Sequence, residues 1–299
     1  MTGRLGSTTG GLRAAATSAV RTLARAPGRV ALILVLGLGA SALATLAPAA
    51  SASADSIPVP FTCLTPTDFV LSGSTLYSAA EPATGLPTPA SGQPSSLTKL
   101  TDDFPDVPNA LGFDPADGLL YAVTVEGDGD HLLQIDSTGT VTDLGLIPDD
   151  LPSVVTGGFD PSGTFWVTGG NAGTDDAWAI DVSASPLTVT KYTMSQAWAT
   201  NDWTYAGGYF WGYSEGVVWQ FDPATDDVHT YGTTNGGLDY EGAWTFANGD
   251  LGFFDANSGT AVRVTITTNS SGNPTYSTDN TGSGWPGGTS GDAASCAQV

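Results

Sequence analysis

Four copies of one pattern run through residues 109–265 of this chain, and they restrict its fold more than any other feature. An aromatic residue marks the equivalent position in each copy, at spacings of 46, 46 and 41 residues: Phe113, Phe159, Tyr205 and Phe246. Each copy holds four short runs rich in apolar and β-branched residues, separated by turns of Asp, Asn, Gly and Pro, which is typical of antiparallel hairpins. Four antiparallel strands in a repeat of about 40–50 residues predict the blade of a β-propeller.

The sequence on either side of the four copies is long enough for one more blade. We expect its inner strand near residues 291–296 and its other strands near residues 69–71, 75–77 and 97–100. The prediction is therefore an all-β, five-bladed propeller of four-stranded antiparallel blades, with one blade split between the two termini. A six-bladed ring is the alternative.

The N-terminal 54 residues have the composition of a secretory signal peptide. They contain five arginines and no acidic residue, followed by an uncharged apolar run over residues 30–46 and then small residues up to Ala54. This order of regions predicts cleavage after Ala54, with Ala52 as the fallback. A membrane anchor is the alternative, but the apolar run is at the short limit of what spans a bilayer. We expect residues 1–54 to be a signal peptide, residues 55–299 to form a single propeller domain, and the mature protein to be secreted without a membrane anchor.

Two cysteines, Cys63 and Cys296, lie where the split blade would close. An even number of cysteines in an exported chain favours a disulfide. Closing so long a loop would stabilise the fold by about 4–5 kcal/mol in the chain-entropy model. We therefore expect one disulfide that joins the first and last strands of the ring.

The predicted mature chain is strongly acidic. Only Lys99, Lys191 and Arg263 remain beside 30 acidic residues, which gives a formal charge of −27. Such a surface repels nucleic acid and anionic lipid, so neither is expected as a partner. We expect a soluble monomer whose partners are a glycan or an extracellular protein.

Five polar residues stand at or just before the predicted inner strands, which line the central channel of a propeller. They are Asn109, Thr156, Asp202, Glu241 and Asp292. As a ring they could bind a sugar or a cation. A water-filled channel with polar strand ends is the simpler interpretation, because such channels are usually polar.

Aromatic residues are dense between Trp198 and Trp219. Trp211 and Trp219 match apolar core positions of the other blades, whereas Trp198 and Trp203 match none clearly. Exposed aromatic side chains favour interfaces. We therefore predict Trp198 and Trp203 as ligand-binding residues.

Evidence for metal or catalytic chemistry is weak. Glu126, Asp128 and Asp130 alternate with glycines, as calcium ligands do, but the further ligands of a calcium loop are missing and a hairpin tip explains the pattern as well. No G-x-S-x-G, H-E-x-x-H, phosphate-loop or dinucleotide motif occurs. We predict no catalytic residue, no metal site and no cofactor, with calcium as the one alternative.

Several segments together resemble a known family. They are residues 109–122, 132–145, 157–167, 251–256 and 291–296, with the first cysteine preceding them. The sequence resembles a family of exported repeat proteins of high-GC Gram-positive bacteria that is catalogued as a domain of unknown function. The resemblance covers residues 61–298 and implies a propeller-like fold and secretion. It implies no activity and no functional residue.

Three functions are compatible with these observations. The first is a non-enzymatic extracellular binding module, for example for envelope or environmental glycans. The second is a secreted carbohydrate-active hydrolase or lyase, which would need two channel carboxylates at a set separation. The third is a protein–protein scaffold. Fold does not rank them, since propellers serve many functions, and the lack of a catalytic motif favours the binding module.

Overall fold

The computed structural model describes residues 57–81, 97–126, 129–148, 151, 154–169, 173–232, 237–270, 273–283 and 290–297. All of them belong to the unit Asp55–Val299. The predicted signal peptide, its cleavage site and part of the glycine-rich segment at residues 126–130 lie outside the described residues. Within the described ranges, no helix is long and apolar enough to cross a membrane.

The described strands number twenty and form five antiparallel sheets of four. The closing blade contains β1 (Thr67–Ser72), β2 (Thr75–Ala80) and β3 (Leu97–Thr101). Blade 1 contains β4 (Asn109–Asp114), β5 (Leu119–Glu126), β6 (Gly129–Ile135) and β7 (Val141–Leu146). Blade 2 contains β8 (Thr156–Phe159), β9 (Thr164–Thr168), β10 (Asp176–Asp181) and β11 (Thr188–Thr193). Blade 3 contains β12 (Thr204–Ala206), β13 (Tyr209–Ser214), β14 (Val217–Asp222) and β15 (Asp227–Gly232). Blade 4 contains β16 (Gly242–Thr245), β17 (Leu251–Asp255), β18 (Thr260–Thr268) and β19 (Pro274–Ser283), and β20 (Gly291–Cys296) pairs with β1 to complete the closing blade.

The inner strands form a closed ring, which confirms the prediction of five blades rather than six. They are β20, β4, β8, β12 and β16, and each contacts the inner strand of the next blade. In the split blade, β20 runs antiparallel to β1 with Phe69 opposite Ala294. The two ends of the chain therefore meet inside one sheet, as the repeat spacing predicted.

One turn device recurs through the blades. An aspartate ends a strand, and its Oδ1 accepts the backbone N–H two residues later: Asp114 from Ala116, Asp136 from Thr138, Asp160 from Ser162, Asp181 from Ser183, Asp222 from Ala224 and Asp255 from Asn257, at 2.7–3.0 Å. Aspartate suits this position because its short carboxylate reaches the turn backbone. This device accounts for six of the 30 acidic residues of the chain.

The narrow ring needs small residues where inner strands touch. A Cβ added to Gly157 in β8 would lie 2.4 Å from the carbonyl oxygen of Ala110 in β4, and one added to Gly242 in β16 would lie 3.0 Å from Cβ of Ala293 in β20. Any larger side chain at Gly157 would push the two inner strands apart. Glycine there sets how closely blades 1 and 2 approach.

The seam between the closing blade and blade 1 is held by packing and by a covalent bond. Phe69 stacks on Phe113 with ring centroids 6.1 Å apart, and Phe61 contacts both rings edge-on at 4.7 and 6.4 Å. Beside them the Cys63–Cys296 disulfide spans 5.5 Å between Cα atoms. The predicted disulfide is therefore present, and it fastens the N-terminal segment to the innermost strand of the split blade.

Removing the disulfide should destabilise the ring. We expect Cys63→Ala/Cys296→Ala to lower the free energy of unfolding by about 2–5 kcal/mol, because the unfolded chain loses its longest cross-link. Urea unfolding followed by tryptophan fluorescence measures this loss. Dithiothreitol should produce the same shift in the wild type and none in the variant, and an unchanged midpoint in the variant would contradict the assigned role.

Candidate binding site at the mouth of the central channel

A cavity of about 420 Å³ opens at one end of the ring, where the inner strands reach their C-terminal ends. All five blades line it, with residues 111–113, 157–159, 203–208 and 293–295 together with Ala243 and Thr245. Pro115, Pro161 and Ala297 lie at its edge. All five blades are therefore needed to form this cavity.

The wall of the cavity has an aromatic part and a polar part. Phe113 and Tyr205 are half-buried and expose part of their rings, and Phe159 is buried beside them. Among the described residues that line the cavity, none carries a formal charge. Such a wall can hold a flat, largely uncharged group, as small-molecule sites commonly do.

The hydroxyl groups of the wall bond mainly to the strands. Oγ1 of Thr204 and Oγ1 of Thr245 lie 2.8 Å apart, and Thr245 Oγ1 donates to the carbonyl of Tyr205 at 3.0 Å. Ser295 Oγ donates to the carbonyl of Thr245 at 2.8 Å and accepts its N–H at 3.0 Å. These bonds join blade 3, blade 4 and the closing blade, so the polar wall is rigid before any ligand arrives.

The prediction that Trp198 and Trp203 lie outside the core is wrong. Trp198 is 0% exposed and Trp203 is 1% exposed. Trp203 stacks on Phe221 with a centroid distance of 5.7 Å. Trp198 packs edge-on against Trp203 with a centroid distance of 5.3 Å. Neither ring presents a face on which a sugar could stack.

The reason is tertiary. The segment before β12 links two blades: the N–H of Trp198 donates to the carbonyl of Thr174 in the β9–β10 loop of blade 2 at 2.9 Å, and its ring packs against Trp219 of blade 3 at 5.8 Å. Space for the ring exists because residue 212 is glycine, where a Cβ would lie 2.7 Å from Cζ2 of Trp198. Trp198 lies outside any strand, so strand alternation gives no signal for its burial.

Trp203 lines the cavity although its side chain is almost completely buried. It is a lining residue, and its Nε1 lies 3.3 Å from the position of a Cβ on Gly158, which also lines the cavity. This buried N–H has no hydrogen-bond partner among the described residues. Less than 1 Å² of this nitrogen is accessible, so a ligand in the cavity does not reach it.

Next to the cavity, at the starts of the inner strands, two carboxyl groups meet. Asp202 precedes β12 and Asp292 lies in β20, and their side chains are hydrogen-bonded to each other. Asp202 also accepts the N–H groups of Trp203 at 2.8 Å and of Ala243 at 2.5 Å. Because Ala243 belongs to β16, this side chain joins blades 3 and 4 as well as the closing blade.

Asp292 extends the same network to blade 1. Its Oδ2 accepts the N–H of Leu111 at 2.8 Å, and its Oδ1 accepts the N–H of Ala293 at 2.7 Å. Ala110 has φ of +54°, a left-handed conformation that is uncommon for a residue with a side chain. This conformation turns the Leu111 N–H towards the carboxylate. The two aspartates thus connect four of the five blades.

Burial decides the ionisation of this pair. Both carboxyls are at most 1% exposed. Removal from water raises the pKa of Asp292 to about 8, and burial together with the nearby charge of Asp292 raises the pKa of Asp202 well above its usual range. The pair therefore keeps a proton at neutral pH.

This geometry differs from that of a glycosidase. The two carboxyl groups of a glycosidase are about 5–9.5 Å apart and flank the scissile bond. Asp202 and Asp292 are hydrogen-bonded to each other and closed off from solvent. The pair holds the ring together and has no room for a sugar between its members.

The other members of the predicted polar ring lie apart. Thr156 Oγ1 donates to the carbonyl of Asn201 at 3.0 Å, which joins blades 2 and 3, and Asn109 Oδ1 accepts the N–H of Ala110 at 3.0 Å. Glu241 faces the β17–β18 turn of its own blade, where it accepts the N–H of Ala256 at 2.8 Å. The structure thus brings Asp202 and Asp292 together and leaves Glu241 outside. Ligand binding by these five residues stays a prediction.

Sequence reasoning missed a second carboxyl pair. Asp68 in β1 is buried and hydrogen-bonded to Glu81, whose carboxylate oxygens lie 3.2 and 3.3 Å from the N–H of Ala247 in blade 4. Burial raises the pKa of both acids. The signal available was an aspartate directly before the apolar residues 69–71 of strand β1. Among the described residues, no group of three or more His, Cys, Asp or Glu is arranged to hold a metal ion.

The Asp202–Asp292 pair should make stability depend on pH. The folded state keeps a proton that the unfolded chain releases above about pH 4, so the pair's contribution to the free energy of unfolding falls between about pH 4 and about pH 8. Asp202→Asn keeps a donor for Asp292 and removes one titrating group. We expect this variant to be less stable by about 1–3 kcal/mol at the acidic end, because one N–H loses its acceptor, and to converge with the wild type towards pH 8.

Urea unfolding across this pH range measures the effect. Asp227→Asn is the control, since it removes one carboxylate from an exposed position of the outermost strand β15. The stability of Asp227→Asn should fall with pH as that of the wild type does, because this variant keeps the buried pair intact. A parallel offset between wild type and Asp202→Asn would show that the buried pair does not titrate as described.

Comparison with solved structures finds distant similarity at low identity. TolB from Acinetobacter baumannii aligns with 16% identity and a TM-score of 0.45 over 80% of this chain and 68% of that chain. A streptogramin B lyase aligns with 13% identity and a TM-score of 0.41 over 69% of this chain and 62% of that chain, so the match spans less than two thirds of the lyase. A chain of a nidogen/laminin complex aligns with 10% identity and a TM-score of 0.45 over 77% of this chain and 98% of that chain. Similarities of this size carry no information about function.

Comparison of sequences is more specific. No curated protein matches the chain. The profile of a family described as a repeat of unknown function matches residues 68–298, a span that begins at the second residue of β1 and continues past β20. The match therefore includes all five blades, and the chain belongs to this family, DUF6923.

Proposed function

We propose that this chain is an exported, non-enzymatic propeller that binds an extracellular glycan in the mouth of its central channel. The observation that carries the proposal is the cavity to which all five blades contribute. Its volume of about 420 Å³ lies within the range of small-molecule sites, roughly 300–1,000 Å³. It can hold a terminal sugar residue rather than a long stretch of polymer.

The chemistry of the wall suits a sugar. The half-exposed rings of Phe113 and Tyr205 supply flat apolar surface for the faces of a pyranose. Thr204, Thr245 and Ser295 add polar atoms to the same wall. The rings of Phe113 and Tyr205 take the place of Trp198 and Trp203, whose burial prevents stacking on a sugar.

The positions of the acidic residues favour a binding role over hydrolysis. No carboxylate is among the described residues that line the cavity, and the buried pair beside it accepts backbone N–H groups. A glycosidase acid and base must reach the substrate. Recognition needs only the shape and the polar atoms that the cavity already has.

Export is part of the proposal. Its support is the composition of residues 1–54 and the Cys63–Cys296 disulfide, a bond that persists in oxidising surroundings outside the cytoplasm. Expression in a secreting bacterial host should release a protein whose first residue is Asp55. Mass spectrometry of the culture medium identifies that N-terminus, and full-length protein retained with the cells would contradict export.

Binding is tested with residues 55–299, which contain all twenty described strands and both cysteines. A glycan array and a cell-wall pull-down identify the ligand, and calorimetry measures its affinity. We expect Ala297→Trp, which places a large ring at the cavity edge, to weaken binding at least about tenfold by occupying the ligand's space.

The matched control is Thr230→Trp, which adds the same ring at an exposed position of β15. It should bind like the wild type, and both variants should unfold at wild-type urea concentrations. Failure of the wild type to bind any glycan, or equal binding by Ala297→Trp, would overturn the proposed function.

A further inference from the structure

We propose that Ser295 determines which sugars bind at the channel mouth, because its hydroxyl accepts a hydrogen bond from the ligand and donates none. The bound sugar then has to present an unsubstituted hydroxyl group to this residue. This rests on the proposed function, since it names the group of the glycan that the same cavity recognises.

The wall of the cavity is divided between aromatic rings and hydroxyl groups. Blades 1, 2 and 3 contribute rings from equivalent positions of their repeats: Phe113, Phe159 and Tyr205. The polar part of the wall consists of Thr204, Thr245 and Ser295. A few polar groups in a largely apolar pocket fix the orientation of a ligand. A sugar ring that lies on the aromatic part can therefore turn its hydroxyl-bearing edge towards the polar part.

The hydroxyl proton of Ser295 is already used within the protein. Ser295 Oγ lies 3.0 Å from the backbone nitrogen of Thr245 and 2.8 Å from its carbonyl oxygen. An N–H can only donate and a carbonyl can only accept, so the single proton of Ser295 goes to the carbonyl. The Thr245 N–H occupies one of the two acceptor positions on Oγ. Ser295 therefore offers a ligand one acceptor position and no donor.

The two threonines of the polar part use their protons in the same way. Thr245 Oγ1 lies 3.0 Å from the carbonyl oxygen of Tyr205 and 2.8 Å from Oγ1 of Thr204. Because the carbonyl can only accept, the proton of Thr245 goes there, and Thr204 donates to Thr245. A ligand edge that carries only acceptors, such as an ether oxygen or a carboxylate, thus finds no hydroxyl donor in the polar part.

Ser295 is the member of the polar part that is most open to a ligand. Thr204 is 9% exposed and Thr245 is 4% exposed, whereas Ser295 is half-buried. The cavity-lining residues near it in the chain, Ala294 and Ala297, are small and leave space in front of it. Its two bonds to Thr245 hold Oγ in place before a ligand arrives.

Sugars that differ in one group test this role. Methyl glucoside, methyl galactoside and methyl mannoside are titrated into residues 55–299 by calorimetry, together with analogues in which each hydroxyl in turn is replaced by hydrogen or fluorine. Neither replacement can donate a hydrogen bond. For one hydroxyl of a glycoside that binds, we expect both replacements to weaken binding about tenfold, because the Ser295 acceptor loses its donor.

Variants of Ser295 assign the preference to this residue. In Ser295→Ala the sugar should lose its advantage over its own deoxy analogue, from about tenfold to less than about twofold. Both sugars bind the same variant, so a change in stability or in the blade seam cancels in the ratio. Ser295→Thr keeps a hydroxyl and should restore the preference.

The matched control is Ser183→Ala. Ser183 Oγ donates to Asp181 at 2.7 Å in the β10–β11 turn, and Ser183 is not among the residues that line the cavity. This variant also loses one serine hydroxyl with its hydrogen bond, and it should keep the full preference of the wild type. Thermal unfolding confirms that all variants are folded.

The outcomes separate the role of Ser295 from the proposed function. An advantage of the hydroxyl sugar that persists in Ser295→Ala overturns the role of Ser295 while the proposed glycan binding stands. The same holds if the array shows glycan binding but no hydroxyl of the three glycosides is preferred over its replacements. Absence of binding by the glycosides and by every glycan of the array overturns the proposed function as well.

Discussion

The hydrogen-bonded carboxyl pair Asp202–Asp292 is the interaction on which the ring depends. A five-bladed propeller has a narrow centre, and backbone N–H groups at the starts of its inner strands have no strand partner there. The two side chains accept four such N–H groups and connect four blades. Two buried charges so close together would be costly, so the pair keeps a proton. Because this pair helps to close the ring, the stability of the fold depends on pH.

Closure at the other end of the inner strands has a different physical basis. There the stacked rings of Phe61, Phe69 and Phe113 and the Cys63–Cys296 disulfide hold the split blade against blade 1. Beside this seam the small residues of β8, β16 and β20 leave space along the axis. The cavity is thus a consequence of how the ring closes, and its rigidity follows from the hydroxyl bonds that join blade 3, blade 4 and the closing blade.

The acidity of the chain also has two separate origins. Six aspartates are present because they close hairpin turns, a local role that each repeat copies. Together, their negative charges produce an electrostatic field that no single turn requires. The turn aspartates of blades 1, 2 and 3 share the face on which the cavity opens only because the blades are arranged around one axis.

The sequence by itself determined the architecture: repeat spacing, turn residues and the positions of Cys63 and Cys296 were sufficient for five blades with one split between the termini. These signals are local, and strand alternation and hairpin chemistry act within a few residues. Only the tertiary structure decided the site. Trp198 is buried because its segment links blades 2 and 3, Asp202 meets Asp292 across 90 residues of sequence, and Glu241 turns away into its own blade. Such contacts depend on how blades approach one another, and periodicity within a single strand carries no information about that approach.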